Sequence, residues 1–158
     1  MKNIILIAPP AAGKGTQSEL IKNKYNMPHI STGDLLREAS NRNDEVGNYI
    51  KETVAKGELV KDEIINQLLE ERLSQIDCDN GYILDGYPRT IEQAYNYENI
   101  LKKLNKDLGV VIFLDIDKKT ATERVAGRLL CSSCGSIYHE VDLKPQVDGI
   151  CDKCGSTL

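Results

Sequence analysis

Apolar runs alternate with amphipathic stretches along most of the chain. Continuous apolar runs predict buried strands over residues 3–8, 27–31, 82–85 and 110–114. Apolar positions that recur every three or four residues predict helices over residues 16–25, 34–40, 45–56, 62–76, 91–104 and 118–130. The clearest of these helices carries one apolar stripe, formed by Ile64, Ile65, Leu68, Leu69, Leu73 and Ile76. This alternation predicts an α/β fold, in which helices cover both faces of a mostly parallel sheet.

Composition narrows the class of protein. The chain has 158 residues, of which 41% are hydrophobic and 28% are charged, as in one globular domain. The formal net charge of −4 argues against binding to nucleic acid or to an anionic membrane by bulk charge. No window approaches the roughly 20 apolar residues of a membrane span, and residues 3–8 are too short for a secretory signal core. We therefore expect a soluble, cytoplasmic protein.

Residues 8–16 join the first strand to the first helix and read Ala-Pro-Pro-Ala-Ala-Gly-Lys-Gly-Thr. A phosphate-binding loop belongs at this position, because backbone N–H groups and the helix dipole attract an anion. Lys14 would add a charge for the outer phosphates, and Thr16 a hydroxyl near magnesium. The segment departs from G-x-x-x-x-G-K-[ST], since Ala8 replaces the first glycine and Gly15 stands where Ser or Thr is expected. An ordinary strand–turn–helix connection is the alternative.

Four cysteines form two C-x2-C pairs separated by 16 residues, namely Cys131, Cys134, Cys151 and Cys154. Each pair is followed by a glycine, which allows the tight turn that directs backbone N–H groups toward sulfur. In a reducing compartment such pairs hold metal more often than they form disulfides. We expect a closed structural zinc site with four thiolates and no catalytic role, with disulfides or another soft metal as alternatives. His139 is expected outside this shell, and Cys78 as a small buried hydrophobic residue.

Three further blocks follow the loop. They read Ser-Thr-Gly-Asp-Leu-Leu-Arg over residues 31–37, Gly-Glu-Leu-Val-Lys-Asp over residues 57–62, and Asp-Gly-Tyr-Pro-Arg-Thr over residues 85–90. In this order and spacing the blocks resemble adenylate kinase, a P-loop nucleoside monophosphate kinase, and the cysteine pairs resemble the zinc-bearing lid of some bacterial members. The resemblance covers nearly the whole chain. It implies a P-loop core of residues 1–31 and 62–128, an AMP-binding insert of residues 32–61 and a partial zinc lid of residues 129–158.

The resemblance implies reversible phosphoryl transfer from ATP to AMP, which gives two ADP, with Mg²⁺ accompanying ATP and no covalent nucleophile. The implied catalytic residues are Lys14, Arg89, Arg124 and Arg128. The last two are four residues apart, so we expect them on one face of the final helix, converging on one phosphate chain.

The resemblance also implies the ligand contacts. The residues implied for ATP are Ala11, Ala12, Gly13, Lys14, Gly15, Thr16, Arg124, Ile137 and Tyr138. Those implied for AMP are Thr32, Arg37, Glu58, Leu59, Val60, Gly86, Tyr87, Pro88, Arg89 and Gln93. Asp85 would hold magnesium through water, with Asp34 nearby.

The loop differs from the family pattern Gly-x-Pro-Gly-x-Gly-Lys-Gly-Thr at two positions. Ala8 and Ala11 replace the first two glycines. A methyl group at either position restricts positive φ and the approach of the backbone to phosphate. A position that requires the left-handed region would store about 1 kcal/mol or more of strain.

The family continues beyond the position of Leu158, with the return half of the lid, a further strand and closing helices. We therefore expect a C-terminally truncated adenylate kinase of low activity, in which residues 110–114 form an open sheet edge. A family-like monomer is expected, although such an edge could self-associate. A kinase of UMP or CMP and a non-catalytic module that binds nucleotide and zinc are the alternatives. Thr32, Gln93 and the turn at residues 57–60 favour AMP.

Overall fold

A computed structural model describes residues 2–158, which form two compact units. The first unit contains residues 2–8 and Gly13–Leu114, and the second contains Pro9–Ala12 and Asp115–Leu158. The strands of the first unit are β1 (Ile4–Ile7), β2 (His29–Ser31), β3 (Ile83–Asp85) and β4 (Val110–Phe113). Its helices are α1 (Lys14–Tyr25), α2 (Thr32–Ser40), α3 (Glu45–Ala55), α4 (Asp62–Leu73) and α5 (Ile91–Leu104).

The four strands form one parallel sheet in the order β2-β3-β1-β4. Side chains alternate between its faces, as the period of a strand requires. Ile5, Ile30 and Leu84 belong to a core cluster with residues of α4 and α5. Leu6 and Ile83 belong to a second cluster, which Ile21 of α1 covers. The predicted α/β fold with a parallel sheet between helices is confirmed.

Side-chain caps fix where several helices begin. Ser31 accepts a hydrogen bond from the Asp34 N–H at 3.1 Å, so that α2 begins two residues before its predicted start. Thr90 accepts from the Gln93 N–H at 3.1 Å and begins α5 at the predicted residue. These two caps place Thr32 and Gln93 in the first turns of their helices.

Helix α4 ends earlier than predicted. It stops at Leu73, and a short 3-10 turn follows at Ile76–Cys78. Ile76 was predicted on the apolar stripe of this helix, but its side chain is 86% exposed. The prediction was wrong at this end, because Leu73 already completes the buried face and the chain turns toward β3.

Strand β4 forms one edge of the sheet, as predicted for residues 110–114. Val110 is 43% exposed, Val111 50% and Phe113 61%, whereas strand β3 is fully buried. The sheet is therefore well covered only on the side of β2 and β3. In the described part of the chain, no helix has the length and apolar character needed to cross a membrane.

The second unit contains α6 (Lys118–Ala126), β5 (Arg128–Leu130) and β6 (Ile137–His139). The helix predicted over residues 118–130 was wrong at its C-terminal end, because β5 pairs antiparallel with β6. Arg128 therefore lies on a strand, opposite His139, and does not share a helix face with Arg124. Gly127 ends the helix and allows the approach of β6, since a Cβ there would lie 2.5 Å from His139 Nε2.

Candidate active site

The loop between β1 and α1 contains two residues in the left-handed region. Gly13 has φ of 83° and Ala11 has φ of 62°. Ala11 therefore occupies the left-handed region in which strain is predicted for an alanine, whereas the φ of Ala8 is not positive. Gly13 is the N-cap of α1 and has no side chain to occupy the N–H groups of the first turn. Those groups suit an anion.

Asp85 lies at the carboxyl end of β3 and is 7% exposed. Its Oδ1 lies 2.6 Å from Lys14 Nζ, and its Oδ2 accepts from His29 Nε2 at 3.1 Å. Ser18 Oγ lies 3.3 Å from the same Oδ2. Burial raises the pKa of Asp85, but the hydrogen bonds from His29 and Lys14 outweigh it and hold the pKa at about 2. Asp85 is thus a carboxylate at neutral pH, and an oxygen ligand of this kind suits magnesium.

Three hydrogen-bond donors surround Gly86, the residue after β3. Gly86 has φ of 78°, and a Cβ built on it would lie 3.2 Å from Arg89 Nη2, 3.4 Å from Lys14 Nζ and 3.7 Å from Thr32 Oγ1. Arg89 Nε donates to the Gly86 carbonyl at 2.7 Å, which fixes the guanidinium over this turn. Two cationic groups and a hydroxyl, held around a residue without a side chain, are donors that could hold phosphate oxygens, and we call this group the phosphate cradle.

Gln93 is 8% exposed, and both of its amide atoms are bonded. Its Oε1 accepts from the Arg89 N–H at 2.8 Å, and its Nε2 donates to Asp62 Oδ1 at 2.8 Å. Tyr87 is 2% exposed, and its hydroxyl donates to Asn66 Oδ1 at 2.5 Å. The Tyr87 side chain therefore belongs to the core, and its peptide bond to Pro88 is cis. Arg89, two residues after Tyr87, is exposed.

Arg37 and Asp34 form an ion pair on the first turns of α2. Ser31 Oγ donates to the other oxygen of Asp34 at 2.6 Å. Partial burial raises the pKa of Asp34, but the hydrogen bonds from Ser31 and Arg37 lower it overall. Asp34 is thus bonded to Ser31 and Arg37, whereas Asp85 is bonded to Lys14, His29 and Ser18.

The segment before α4 contains one buried and one exposed apolar residue. Val60 is 8% exposed and Leu59 is 94% exposed.

Arg124 and Arg128 lie in different elements of the second unit. Arg124 Nη1 donates to the Ala11 carbonyl at 3.4 Å, whereas Arg128 is the exposed first residue of β5. Ile137 is 51% exposed and Tyr138 is 6% exposed. The Tyr138 hydroxyl accepts from the Asp152 N–H at 2.7 Å and faces Cys151 Sγ at 3.5 Å. The Tyr138 side chain therefore packs against the cysteines.

The four sulfurs of Cys131, Cys134, Cys151 and Cys154 lie within 4.8 Å of one another. The Cys131–Cys154 and Cys134–Cys151 sulfur distances are both 3.5 Å. A tetrahedral ion with Zn–S bonds of about 2.3 Å places its sulfurs about 3.8 Å apart. The hydrogen bond from Tyr138 lowers the pKa of Cys151 to about 5, which favours the thiolate that binds metal. The donor set and spacing fit zinc, and His139 lies outside the cluster.

Among the residues that sequence reasoning did not assign to the site, three bond directly to Asp85 or to Gln93. Ser18 and His29 both approach Asp85, and Asp62 binds the amide of Gln93. Ser18 lies one helical turn after Lys14, a spacing that could have pointed to it. No local signal marks His29, whose partner lies 56 positions away along the chain. Asp62 closes the block over residues 57–62, but its bond to Gln93, 31 positions away, cannot be read from that block.

Comparison with known proteins identifies the family of the chain. A model of the adenylate kinase family matches residues 6–154. The adenylate kinase of Fervidobacterium nodosum is 47% identical over 156 residues, which are 99% of this chain and 72% of the relative. That of Thermosipho africanus is 45% identical over 156 residues, 99% of this chain and 73% of the relative. That of Rhizobium etli is 49% identical over 154 residues, 98% of this chain and 71% of the relative. The chain belongs to the adenylate kinase family.

Proposed function

We propose that this chain binds ATP and AMP and transfers the terminal phosphoryl group of ATP to AMP, which gives two ADP. The observation that carries the proposal is the convergence of Lys14 Nζ, Arg89 Nη2 and Thr32 Oγ1 on Gly86. Membership of the family makes the chain a nucleoside monophosphate kinase and favours AMP over UMP or CMP as the acceptor. Family membership also favours an enzyme over a module that only binds nucleotide and zinc.

The arrangement around Gly86 supports catalysis by position and charge. Phosphoryl transfer requires little covalent chemistry from the protein, but it requires cations around the moving group and two nucleotides held in line. Arg89 can bind phosphate with two parallel N–H groups. The ion pair with Asp85 fixes the position of the Lys14 ammonium group. A phosphate group would therefore bind a cation that is already in place.

Roles for the remaining residues follow from the same proposal. Residues 11–16 would surround the phosphates of ATP with N–H groups, and Thr32, Arg37, Gly86 and Arg89 would bind the phosphate of AMP. Gln93, the core turn of Tyr87 and Pro88, and the backbone of residues 58–60 would line the site of the AMP base. Arg124, Ile137 and Tyr138 stay predicted contacts of ATP, and Arg124 and Arg128 stay predicted catalytic residues. The division into core, insert and lid likewise stays a prediction.

Two metals belong to the proposal. Asp85 would hold Mg²⁺ through water, and the ion would neutralise charge on the phosphates. Asp34 was predicted near this ion, but its oxygens are bonded to Ser31 and Arg37. The four cysteines would hold a structural zinc ion. Because such thiol sites belong to reducing compartments, we place the protein in the cytoplasm.

The replacement of Arg89 by lysine tests the phosphate cradle. The substitution Arg89→Lys keeps the charge but removes the planar, bidentate donor group. We expect an affinity at least about tenfold lower for a bisubstrate analogue, two adenosines joined by a phosphate chain, together with a slower formation of ADP from ATP and AMP. Titration calorimetry measures the first quantity and does not depend on turnover.

Arg42 provides a matched control. Its guanidinium binds Glu71 through both Nη atoms, at 3.0 and 3.1 Å, and lies outside the proposed site. Arg42→Lys should leave the affinity for the analogue unchanged. Equal affinities of wild type and Arg89→Lys would contradict the assignment of the cradle, and faster turnover with UMP or CMP than with AMP would contradict the substrate.

A further inference from the structure

We infer that Asp62 holds the Gln93 amide in one orientation and thereby makes the monophosphate site selective for adenine over 6-oxopurines. This inference rests on the proposed function, in which Gln93 contacts the base of AMP. Asp62 is the first residue of α4, and its Oδ1 accepts from Gln93 Nε2 at 2.8 Å. Because Asp62 bonds to Gln93, the residue proposed to contact the base, it would act as a positioning residue.

The two partners of Gln93 define which amide atom lies where. The Arg89 N–H can only donate, and it donates to Oε1 at 2.8 Å. An ionised carboxylate can only accept, and Asp62 accepts from Nε2. Rotation of the amide by half a turn would place Nε2 hydrogens against the Arg89 N–H and Oε1 against the carboxylate. Because Gln93 is 8% exposed, water has little access to relieve these two repulsive contacts.

The fixed orientation leaves one acceptor site on Oε1 and one hydrogen on Nε2. Adenine offers the matching pair, since its 6-amino group donates and an adjacent ring nitrogen accepts. Hypoxanthine and guanine carry an oxygen at position 6, which would face Oε1 and leave both acceptors unpaired. The terminal torsion of glutamine has two broad, equivalent minima. Only the neighbours of Gln93 therefore prevent the rotation that would suit a 6-oxopurine.

Removal of the Asp62 carboxylate tests the inference. In wild type, Asp62→Ala and Asp62→Asn, calorimetry of the intact protein would measure the affinities for AMP and for inosine monophosphate. We expect the ratio of the two affinities to fall by about tenfold or more in Asp62→Ala, because a matched pair of base contacts discriminates by that order. Asp62→Asn keeps the side-chain volume, and its amide can rotate to face either orientation of Gln93. It should therefore lower the ratio too, even if alanine perturbs the fold.

Glu63→Gln is the matched control, because Glu63 is the other acidic residue in the first turn of α4. Both carboxylates stabilise the helix through its dipole. A change in the affinity ratio that arose from helix stability would therefore appear in all three variants. A change that arose from the lost orientation of Gln93 would not appear in Glu63→Gln. Equal loss of affinity for both nucleotides, or a wild-type ratio in both Asp62 variants, would overturn the inference.

The variant Gln93→Ala distinguishes an error in the role of Asp62 from an error in the proposed function. A ratio lost in Gln93→Ala but kept in the Asp62 variants overturns the role of Asp62 and leaves the adenine contact intact. A wild-type protein that binds the two nucleotides equally overturns both the proposed AMP site and the inference that rests on it.

Discussion

Ala11 occupies a left-handed conformation, with φ of 62°, in the loop proposed to surround phosphate. For an L-residue this region costs about 1–2 kcal/mol relative to right-handed backbone, because Cβ approaches the following carbonyl oxygen. Residue 11 keeps this backbone conformation although it is an alanine and not a glycine, which would adopt it freely. Gly13, two residues later, supplies the other left-handed residue without that cost.

The substitution Ala11→Gly should therefore stabilise the protein. Relief of the strain outweighs the greater freedom of glycine in the unfolded chain, so we expect the free energy of unfolding to rise by about 0.5–1 kcal/mol in urea titrations. Ala12→Gly is the control, because the φ of Ala12 is not positive. It should lower the free energy of unfolding by a similar amount, and a loss of stability in both variants would contradict the strain at Ala11.

At the scale of residues, proximity is predictable where a motif specifies it, whereas the roles of the site residues stay predictions. Lys14, Gly86 and Arg89 lie together as the motif implies. Prediction fails for residues whose role depends on a partner far along the chain. His29 and Asp62 are ordinary polar residues until the register of β2 against β3, and the docking of α4 against α5, place them beside Asp85 and Gln93.

Elements are predictable where hydrophobic period and capping agree. The strands of the parallel sheet lie within their predicted apolar runs. Helix α5 has its predicted bounds, because Thr90 caps it and Asn105, with φ of 52°, ends it. The boundary between α6 and β5 was missed because it depends on β6. No local feature of residues 128–130 shows that they pair with Ile137–His139 across the cysteine turns.

The contact between Gly127 and His139 fixes that boundary. The imidazole of His139 is held on both sides, since Nδ1 accepts from the Val141 N–H at 3.2 Å and Nε2 lies 3.3 Å from the Glu123 carbonyl. The ring cannot move without loss of these contacts, so a new methyl group at residue 127 would force the helix end away from β6.

Gly127→Ala should therefore lower the stability of the second unit by about 1–3 kcal/mol, a typical cost of overpacking. Amide hydrogen exchange of β5 and β6 measures this loss. In a His139→Ala background the clash is absent, and the same glycine substitution should cost almost nothing. A cost that is equal in the two backgrounds would show that the contact with His139 does not set the helix end.

At the scale of the whole molecule, the two units differ in how they are stabilised. The first unit has three clusters of buried apolar residues, which include Tyr82, Tyr97 and Leu69. The described cluster of the second unit consists of Cys131, Tyr138 and Cys151, with Leu129, Cys134 and Leu158 packed against it. Three of these six residues are proposed zinc ligands. Because so little apolar surface is buried in this cluster, we predict that the second unit depends on a bound metal ion to fold.

Removal of zinc should unfold the second unit selectively. With a chelator, or in Cys131→Ser, we expect the amides of β5, β6 and residues 150–158 to lose protection from hydrogen exchange, while those of β1 and β3 keep it. The sheet keeps its protection because its buried clusters contain none of the four ligands. Cys78→Ser is the matched control, since Cys78 is 1% exposed within the first unit. That variant should lower the stability of the sheet and leave the zinc content unchanged. Full protection of β5 and β6 in chelator would contradict a structural role for the metal, because the apolar cluster alone would then hold these strands.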